Sequence, residues 1–196
     1  NVLKTKGAIH YLTSEEIEKD KEYLFSISSK LRDKNIISLI IGGPTQYYDY
    51  SDRNIQEIFS KVNYLVKENN LNLVVIPSMR TPKGTIEHAK IYFGNDHLVL
   101  DGVDKKAYLS ALAISKHIVI TCDSSSMISE AALTGKPIYI ATIPPKKNDK
   151  RFKNFRKLFQ EMKIVRELGE KLENWNYEKL DETNRVANII KDKIQL

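Results

Sequence analysis

Apolar runs alternate with amphipathic stretches along this chain. The clearest run, at 36–41, is apolar apart from one serine, which is typical of a buried strand in a parallel sheet. Further strands are predicted at 71–76, at 97–100, and on either side of a polar turn within 117–140. A last extended piece is predicted around 164–165.

Between these runs, apolar residues recur at helical spacing. This pattern predicts amphipathic helices that pack one face on the sheet. Thr13 and Glu16 have the spacing of a capping box at the start of the first helix. The predicted helices cover 14–32, 52–69, 84–93, 105–115, 124–134, 151–161 and 181–193. In the last of them, Val186, Ile189 and Ile190 are expected to face inward.

Strand and helix therefore alternate about five times. The order predicts an α/β fold, a Rossmann-like, doubly wound parallel sheet of about five to six strands with right-handed crossovers. No shift in composition and no internal repeat divides the chain. We expect one domain over 1–196, with 1–34 as a leading segment and helix.

Length and charge set the broad class. The 196 residues carry a net charge of +6, which permits anionic partners without choosing among them. No apolar run approaches the ~20 residues of a membrane span, and no signal peptide is visible. A cytoplasmic location is expected, with peripheral attachment to a membrane as the alternative. The chain begins at Asn1 rather than Met, which predicts a fragment or a processed form of a longer protein. The single cysteine, Cys122, is expected to be buried, with a reactive thiol as the alternative.

Polar and glycine-rich turns follow four predicted strands, at 42–45, 77–82, 101–104 and 122–126. Ligands of open parallel sheets bind outside the carboxyl ends of the strands, so these turns are the candidate site. The first of them brings the backbone close to a ligand, because glycine has no Cβ. It lacks a full G-x-G-x-x-G fingerprint, and a plain tight turn is the alternative. Its residues are Gly42, Gly43, Pro44 and Thr45.

The second turn places Arg80 between the hydroxyls of Ser78 and Thr81. A guanidinium can form bidentate hydrogen bonds with a phosphate, so a phosphate contact by Arg80 is expected. The alternative is a surface arginine that pairs with a carboxylate.

The turn at 122–126 opens a helix, and helix N-termini favour anions. Simple N-capping by Asp123 or Ser124 is the alternative. A carboxylate repels phosphate, so Asp123 is expected to cap the helix or to accept from a sugar hydroxyl. Ser126, Glu130 and Thr134 are spaced by four and form one polar line, which is either a ribose-binding face or a solvated one.

Several site classes are not supported by the sequence. Gly135-Lys136-Pro137 closes a helix, whereas a Walker loop opens one. The four histidines lack metal-ligand spacing, and no G-x-S-x-G occurs, so neither a metal site nor a serine triad is expected.

A basic stretch at 146–157 overlaps the predicted helix 151–161. The basic side chains are expected on its outer face, either solvated or in contact with an anionic membrane surface or a diphosphate. Nucleic acid is not expected, because the aromatic residues are predicted to face the core. These inward residues are Phe152, Phe155, Leu158 and Phe159.

Four stretches together resemble a known family. They are Ile40 to Pro44, Ser78 to Pro82, Thr121 to Pro137, and Arg151-Phe152, and Gly7 to His10 fits the same pattern. The combination is similar to the ELM-type mitochondrial fission family, which is named after plant proteins. Its bacterial members have been labelled nucleoside-diphosphate-sugar epimerases. The resemblance covers nearly the whole chain.

This resemblance implies a likeness to GT-B glycosyltransferases, in which the C-terminal of two Rossmann-like domains holds most of the nucleotide-sugar donor. The present chain would be that C-terminal half, with its N-terminal partner domain missing. Glu130, Gly135 and Pro137 match the GT-B element Glu-x-x-x-x-Gly-x-Pro, whose glutamate binds ribose. The ligand-binding residues expected on this basis are Gly42, Gly43, Pro44, Thr45, Ser78, Arg80, Thr81, Asp123, Ser124, Ser125, Ser126, Met127 and Glu130.

The resemblance also implies a nucleotide-sugar substrate, no bound metal and no tightly bound cofactor. Catalytic residues are not identified, because the base of such enzymes commonly comes from the N-terminal domain. Three functions stay open. The first is the nucleoside-diphosphate-sugar-binding domain of a GT-B-like glycosyltransferase. The others are a nucleoside-diphosphate-sugar epimerase and a non-enzymatic adaptor that recruits a dynamin-like GTPase to a membrane.

Overall fold

The computed structural model describes residues 2–194 and contains one parallel sheet over that range. Its six strands lie in the order β3-β2-β1-β4-β5-β6, which confirms the predicted Rossmann-like α/β fold. The strands are β1 Ile36–Ile41, β2 Asn72–Pro77, β3 Leu98–Val99, β4 His117–Thr121, β5 Ile138–Ala141 and β6 Val165–Glu167. Every residue of β1, β4 and β5 is buried, as expected for strands covered on both faces.

Helices connect these strands and cover both faces of the sheet. They are α1 Ser14–Lys19, α2 Tyr23–Ile27, α3 Asp52–Glu68, α4 Lys83–Phe93, α5 Lys105–Ile114, α6 Ser125–Ala131, α7 Lys150–Glu161 and α8 Glu182–Ile194. From β1 through β2 to β3 the chain moves towards one edge of the sheet, and from β3 through β4 and β5 to β6 it moves towards the other edge. With right-handed crossovers, α3 and α4 therefore cover one face, and α5, α6 and α7 cover the other.

The helix predicted at 14–32 is wrong as a single element, because it breaks into α1, α2 and a 3-10 turn at Ser29–Leu31. Thr13 and Glu16 do form the predicted capping box. The break has a partner in α5. The Ser110 hydroxyl donates to the Lys21 carbonyl and accepts from the Leu24 amide, so it binds backbone groups that a continuous helix would bond internally.

Helix α7 differs from its predicted faces. Arg156 is buried rather than on the outer face, since its guanidinium donates to Tyr48 Oη at 2.8 Å and to Asp149 Oδ2 at 3.1 Å. Phe159 is fully buried, whereas Phe152, Phe155 and Leu158 are only half-buried. In α8, Ile190 is exposed rather than inward, and Val186 and Ile189 are half-buried.

The order of the sheet has a switch point at β1 and β4. These strands are paired neighbours, yet the connections that leave them run to opposite sides, towards β2 and towards β5. Loops that leave neighbouring strands in opposite directions open a crevice at the carboxyl edge. Here the crevice lies between the turn that starts at Gly42 and the turn that starts at Cys122.

Candidate functional site

The glycine turn after β1 is bonded directly to the end of β4. The Gly42 amide donates to Thr121 Oγ1 at 2.8 Å, and the Gly43 amide donates to Asp123 Oδ2 at 3.1 Å. The two sides of the crevice are therefore held together by protein atoms at its base.

Asp123 is the centre of this network. Its side chain is fully buried, and its carboxylate accepts hydrogen bonds from the Gly43 amide, the Tyr50 hydroxyl and the Arg80 guanidinium. Ser124, not Asp123, caps α6, because Ser124 Oγ accepts from the Met127 amide at 3.3 Å. The carboxylate therefore joins three chain segments instead of capping a helix.

Arg80 adopts the pairing that the sequence left as an alternative to phosphate binding. Its Nη2 lies 2.7 Å from Asp123 Oδ2, and its Nη1 donates to the Gly43 carbonyl at 2.8 Å. The side chain is still 40% exposed, so the ion pair is open to solvent on the arginine side.

Ser78 and Thr81 fasten the turn after β2 to the end of β1. The Ser78 amide donates to Thr81 Oγ1 at 2.8 Å, and the Thr81 hydroxyl lies 2.6 Å from the Gly42 carbonyl. Both side chains are half-buried. These hydrogen bonds hold the turn that carries Arg80 next to the glycine turn.

Close approach explains why glycine occupies both positions of the turn. A Cβ on Gly42 would lie 2.1 Å from Asp123 Oδ2, and a Cβ on Gly43 would lie 2.0 Å from the Arg80 carbonyl oxygen. Pro44 is exposed, and Thr45 Oγ1 accepts from the amides of Tyr47 and Tyr48, which closes the turn.

The serines and the glutamate predicted on α6 divide between two environments. Ser126 is exposed at the first turn, while Ser125 and Met127 are half-buried. Glu130 Oε2 accepts a hydrogen bond from the Tyr108 hydroxyl at 2.6 Å. Burial and the neighbouring carboxylate hold the pKa of Tyr108 well above its usual value, so this hydroxyl stays a donor.

Thr134, the third member of the polar line, donates to the Ala131 carbonyl at 2.7 Å and is thus bonded within its own turn. Sequence reasoning missed Tyr50, Thr121 and Tyr108, which hold the site from the loop, the strand and α5. Sequence spacing does not identify these residues, because the order of strands in the sheet brings them to the site.

Cys122 is buried beside this network, and its sulfur accepts from the Ile143 amide at 3.3 Å. Burial raises the pKa of the thiol to about 11, which disfavours the reactive thiolate. Over residues 2–194, no group of three His, Cys, Asp or Glu side chains is placed to hold a metal ion. None of the helices in that range is long and apolar enough to cross a bilayer.

The fold and the crevice define a Rossmann-like domain of the GT-B type. Two crystal structures of UDP-GlcNAc 2-epimerases share this fold. That of Neisseria meningitidis, bound to UDP-GlcNAc, has a TM-score of 0.52 at 13% identity over 92% of this chain and 43% of its own. A putative enzyme from Listeria monocytogenes has a TM-score of 0.53 at 16% identity over 96% of this chain and 42% of its own.

The chain belongs to the mitochondrial fission ELM1 family, whose sequence model matches residues 1–194. It is 32% identical to the uncharacterized protein RP120 of Rickettsia prowazekii over 83% of this chain and 48% of that protein. It is 27% identical to the mitochondrial fission protein ELM1 of Arabidopsis thaliana over 99% of this chain and 46% of that protein. The chain thus spans about half the length of these relatives, and the predicted resemblance is confirmed.

Proposed function

We propose that this domain binds the nucleoside diphosphate of a nucleotide sugar, as the donor-binding half of a GT-B-like glycosyltransferase. The observation that carries the proposal is the switch point at β1 and β4. There the Gly42-Gly43 turn faces the start of α6 across the crevice. Crevices at such positions are where open α/β sheets bind nucleotides.

The residues around the crevice suit the parts of such a ligand. Ser124, Ser125 and Ser126 bring hydroxyls and backbone amides to the diphosphate at the start of α6. Arg80 adds a half-exposed cation from the opposite side. Glu130, held by Tyr108, is the acceptor for the ribose hydroxyls.

The likeness to UDP-GlcNAc 2-epimerases supports the nucleotide-sugar class and gives an epimerase as the variant of this proposal. In either case the nucleotide sugar is the substrate, and we propose no metal and no tightly bound cofactor. The catalytic base is proposed to lie on an N-terminal partner domain. A cytoplasmic location is proposed as well.

A second candidate function is that of a non-enzymatic adaptor. The observation in its favour is that Asp123 already occupies the Gly43 amide and the Arg80 guanidinium. An internal carboxylate there takes donors that a phosphate would otherwise use. The exposed basic residues of α7 would then be the contact surface for an anionic membrane.

Calorimetric titration with UDP, GDP and CDP tests the proposal. We expect at least millimolar affinity for one of them, abolished in Glu130→Ala and partly kept in Glu130→Gln, which retains an acceptor for Tyr108. Glu68→Ala, at the far end of α3, is the matched control, because this exposed glutamate lies at the opposite edge of the sheet. Absence of binding to all three nucleotides, with binding to anionic vesicles retained, would reject the proposal in favour of the adaptor.

A further inference from the structure

A second cleft opens beside the first turn of α6, on the side away from Glu130. It holds about 450 Å³ and lies between the N-terminal segment 5–8 and α7, and Ser125 also lines it. That volume is in the range of small-molecule sites. Its wall on α7 is made by Phe152, Phe155 and Leu158.

The apolar wall is a fixed part of the fold. Phe155 packs against the buried Phe159 with ring centroids 4.3 Å apart and ring planes tilted by 39°, and Phe152 packs edge-on against Tyr48 at 5.7 Å. Tyr48 is in turn held by Arg156 and Asp149. These contacts hold the phenylalanines half-exposed towards the cleft.

Cations border this wall. Arg151, on the first turn of α7, is exposed and lines the cleft, and its guanidinium lies 5.8 Å above the Phe152 ring centroid. Lys6 lines the cleft from the opposite side. Within residues 2–194, the cleft lining includes no carboxylate side chain. The cleft is therefore apolar along one wall and positive at its rim.

We propose that this cleft binds an anionic amphiphile, with its hydrocarbon chain against the α7 wall and its phosphate at Arg151. Charge complementarity at the rim favours the phosphate, and the apolar surface of Phe152, Phe155 and Leu158 favours burial of a hydrocarbon chain. The proposal that the cleft binds an amphiphile depends only on the residues that line it. A role as the acceptor site, in which a lipid-linked phosphate would bind next to the nucleotide-sugar donor at Ser125, rests on the proposed function.

The positions of Glu130 and Ser125 on α6 support a donor site next to this cleft. Glu130 points towards Tyr108 on α5, whereas Ser125 borders the cleft next to α7. A nucleotide sugar with its ribose at Glu130 and its diphosphate at the helix start would direct its sugar towards the cleft. The chain-bearing acceptor would then approach the sugar from the α7 side.

Calorimetry on the intact chain with dodecyl phosphate below its micelle concentration tests the proposal. Dodecyl maltoside and inorganic phosphate are the matched probes that carry only the chain or only the phosphate. We expect dodecyl phosphate to bind roughly tenfold more tightly than either, and Arg151→Ala to weaken it about tenfold. Asn154→Glu, which places a carboxylate in the cleft beside Arg151, should weaken binding similarly.

Lys157→Ala is the control, because it removes an exposed positive charge of α7 that does not line the cleft, and it should change affinity less than about twofold. Equal losses in Arg151→Ala and Lys157→Ala, or equal binding of inorganic phosphate, would overturn the proposal. Glu130→Ala should keep dodecyl phosphate affinity. Retained amphiphile binding in a chain that binds no nucleotide would reject the proposed function and leave the cleft assignment intact.

Discussion

Arg80 reaches across the end of β1 to Asp123, with Nη2 of the guanidinium 2.7 Å from Oδ2 of the carboxylate. The two residues follow β2 and β4, which are separated in the sheet by β1. The pair thus ties together three strand ends at the edge where the crevice opens. Because Arg80 also donates to the Gly43 carbonyl, the pair fixes the glycine turn against the ends of β2 and β4.

Asp123→Ala should lower the free energy of unfolding by about 2–4 kcal/mol, because it leaves the Arg80 guanidinium, the Gly43 amide and the Tyr50 hydroxyl without their acceptor. Urea denaturation measures the loss. Arg53→Ala is the control, since its pairing with Glu57 is on the surface and should contribute less than about 0.5 kcal/mol. Equal costs for the two substitutions would show that the buried network contributes little.

Gly42→Ala should destabilise the fold by about 2 kcal/mol or more, because the new methyl group would lie 2.1 Å from Asp123 Oδ2. The matched control is Gly102→Ala, where a Cβ meets nothing within 4 Å. Thermal unfolding of both variants separates steric conflict from loss of glycine flexibility. A stability loss of the same size at Gly102 would contradict the steric explanation.

Arg156→Met should lower the free energy of unfolding by about 3 kcal/mol. The substitution leaves Asp149 buried without its cation, and it removes the hydrogen bond that Arg156 donates to Tyr48 Oη. Arg156→Lys should recover only part of this, because one ammonium cannot reproduce two guanidinium bonds to different acceptors. Lys153→Met, on an exposed position of the same helix, is the control. Near-ultraviolet circular dichroism would report whether Tyr48 and Phe152 lose their packing.

Stability should rise with pH between about 8 and 9.5 because of Lys136. Burial lowers the pKa of its ammonium to about 8, below its usual value, and the group donates to the Leu112 and Ala113 carbonyls at the end of α5. The unfolded chain then holds more protons than the folded chain in this window, so raising the pH favours folding. Urea denaturation of wild type and Lys136→Met at pH 7.5 and 9.5 should show a gain in the wild type that the variant lacks.

Strand positions and one helix face follow from the sequence because they depend on local periodicity. In α3 the predicted inner residues are all buried, since helical spacing alone places them on one side. They are Ile55, Ile58, Phe59, Val62 and Leu65. The β1 boundaries were predicted correctly at both ends for the same reason.

Contacts between residues distant in the sequence explain the features that local patterns did not predict. The helix at 14–32 breaks because Ser110, 86 positions from Leu24, captures its backbone. Arg156 is buried because Asp149 neutralises its charge and Tyr48 accepts a hydrogen bond from it, although its place on a helical wheel is polar. The Arg80–Asp123 pair needs the order of the sheet, which brings residues 43 positions apart into contact.

The segment at 4–10 is held by residues that come last in the described chain. Glu182 accepts from the Lys6 amide, Thr183 bonds both polar groups of the His10 backbone, and Arg185 donates to the Lys4 carbonyl, across separations of up to 181 positions. During synthesis these contacts cannot form until α8 has left the ribosome. The wall that segment 5–8 gives to the cleft therefore depends on contacts with α8, together with the hydrogen bond from the Ala8 amide to Ser129 Oγ on α6.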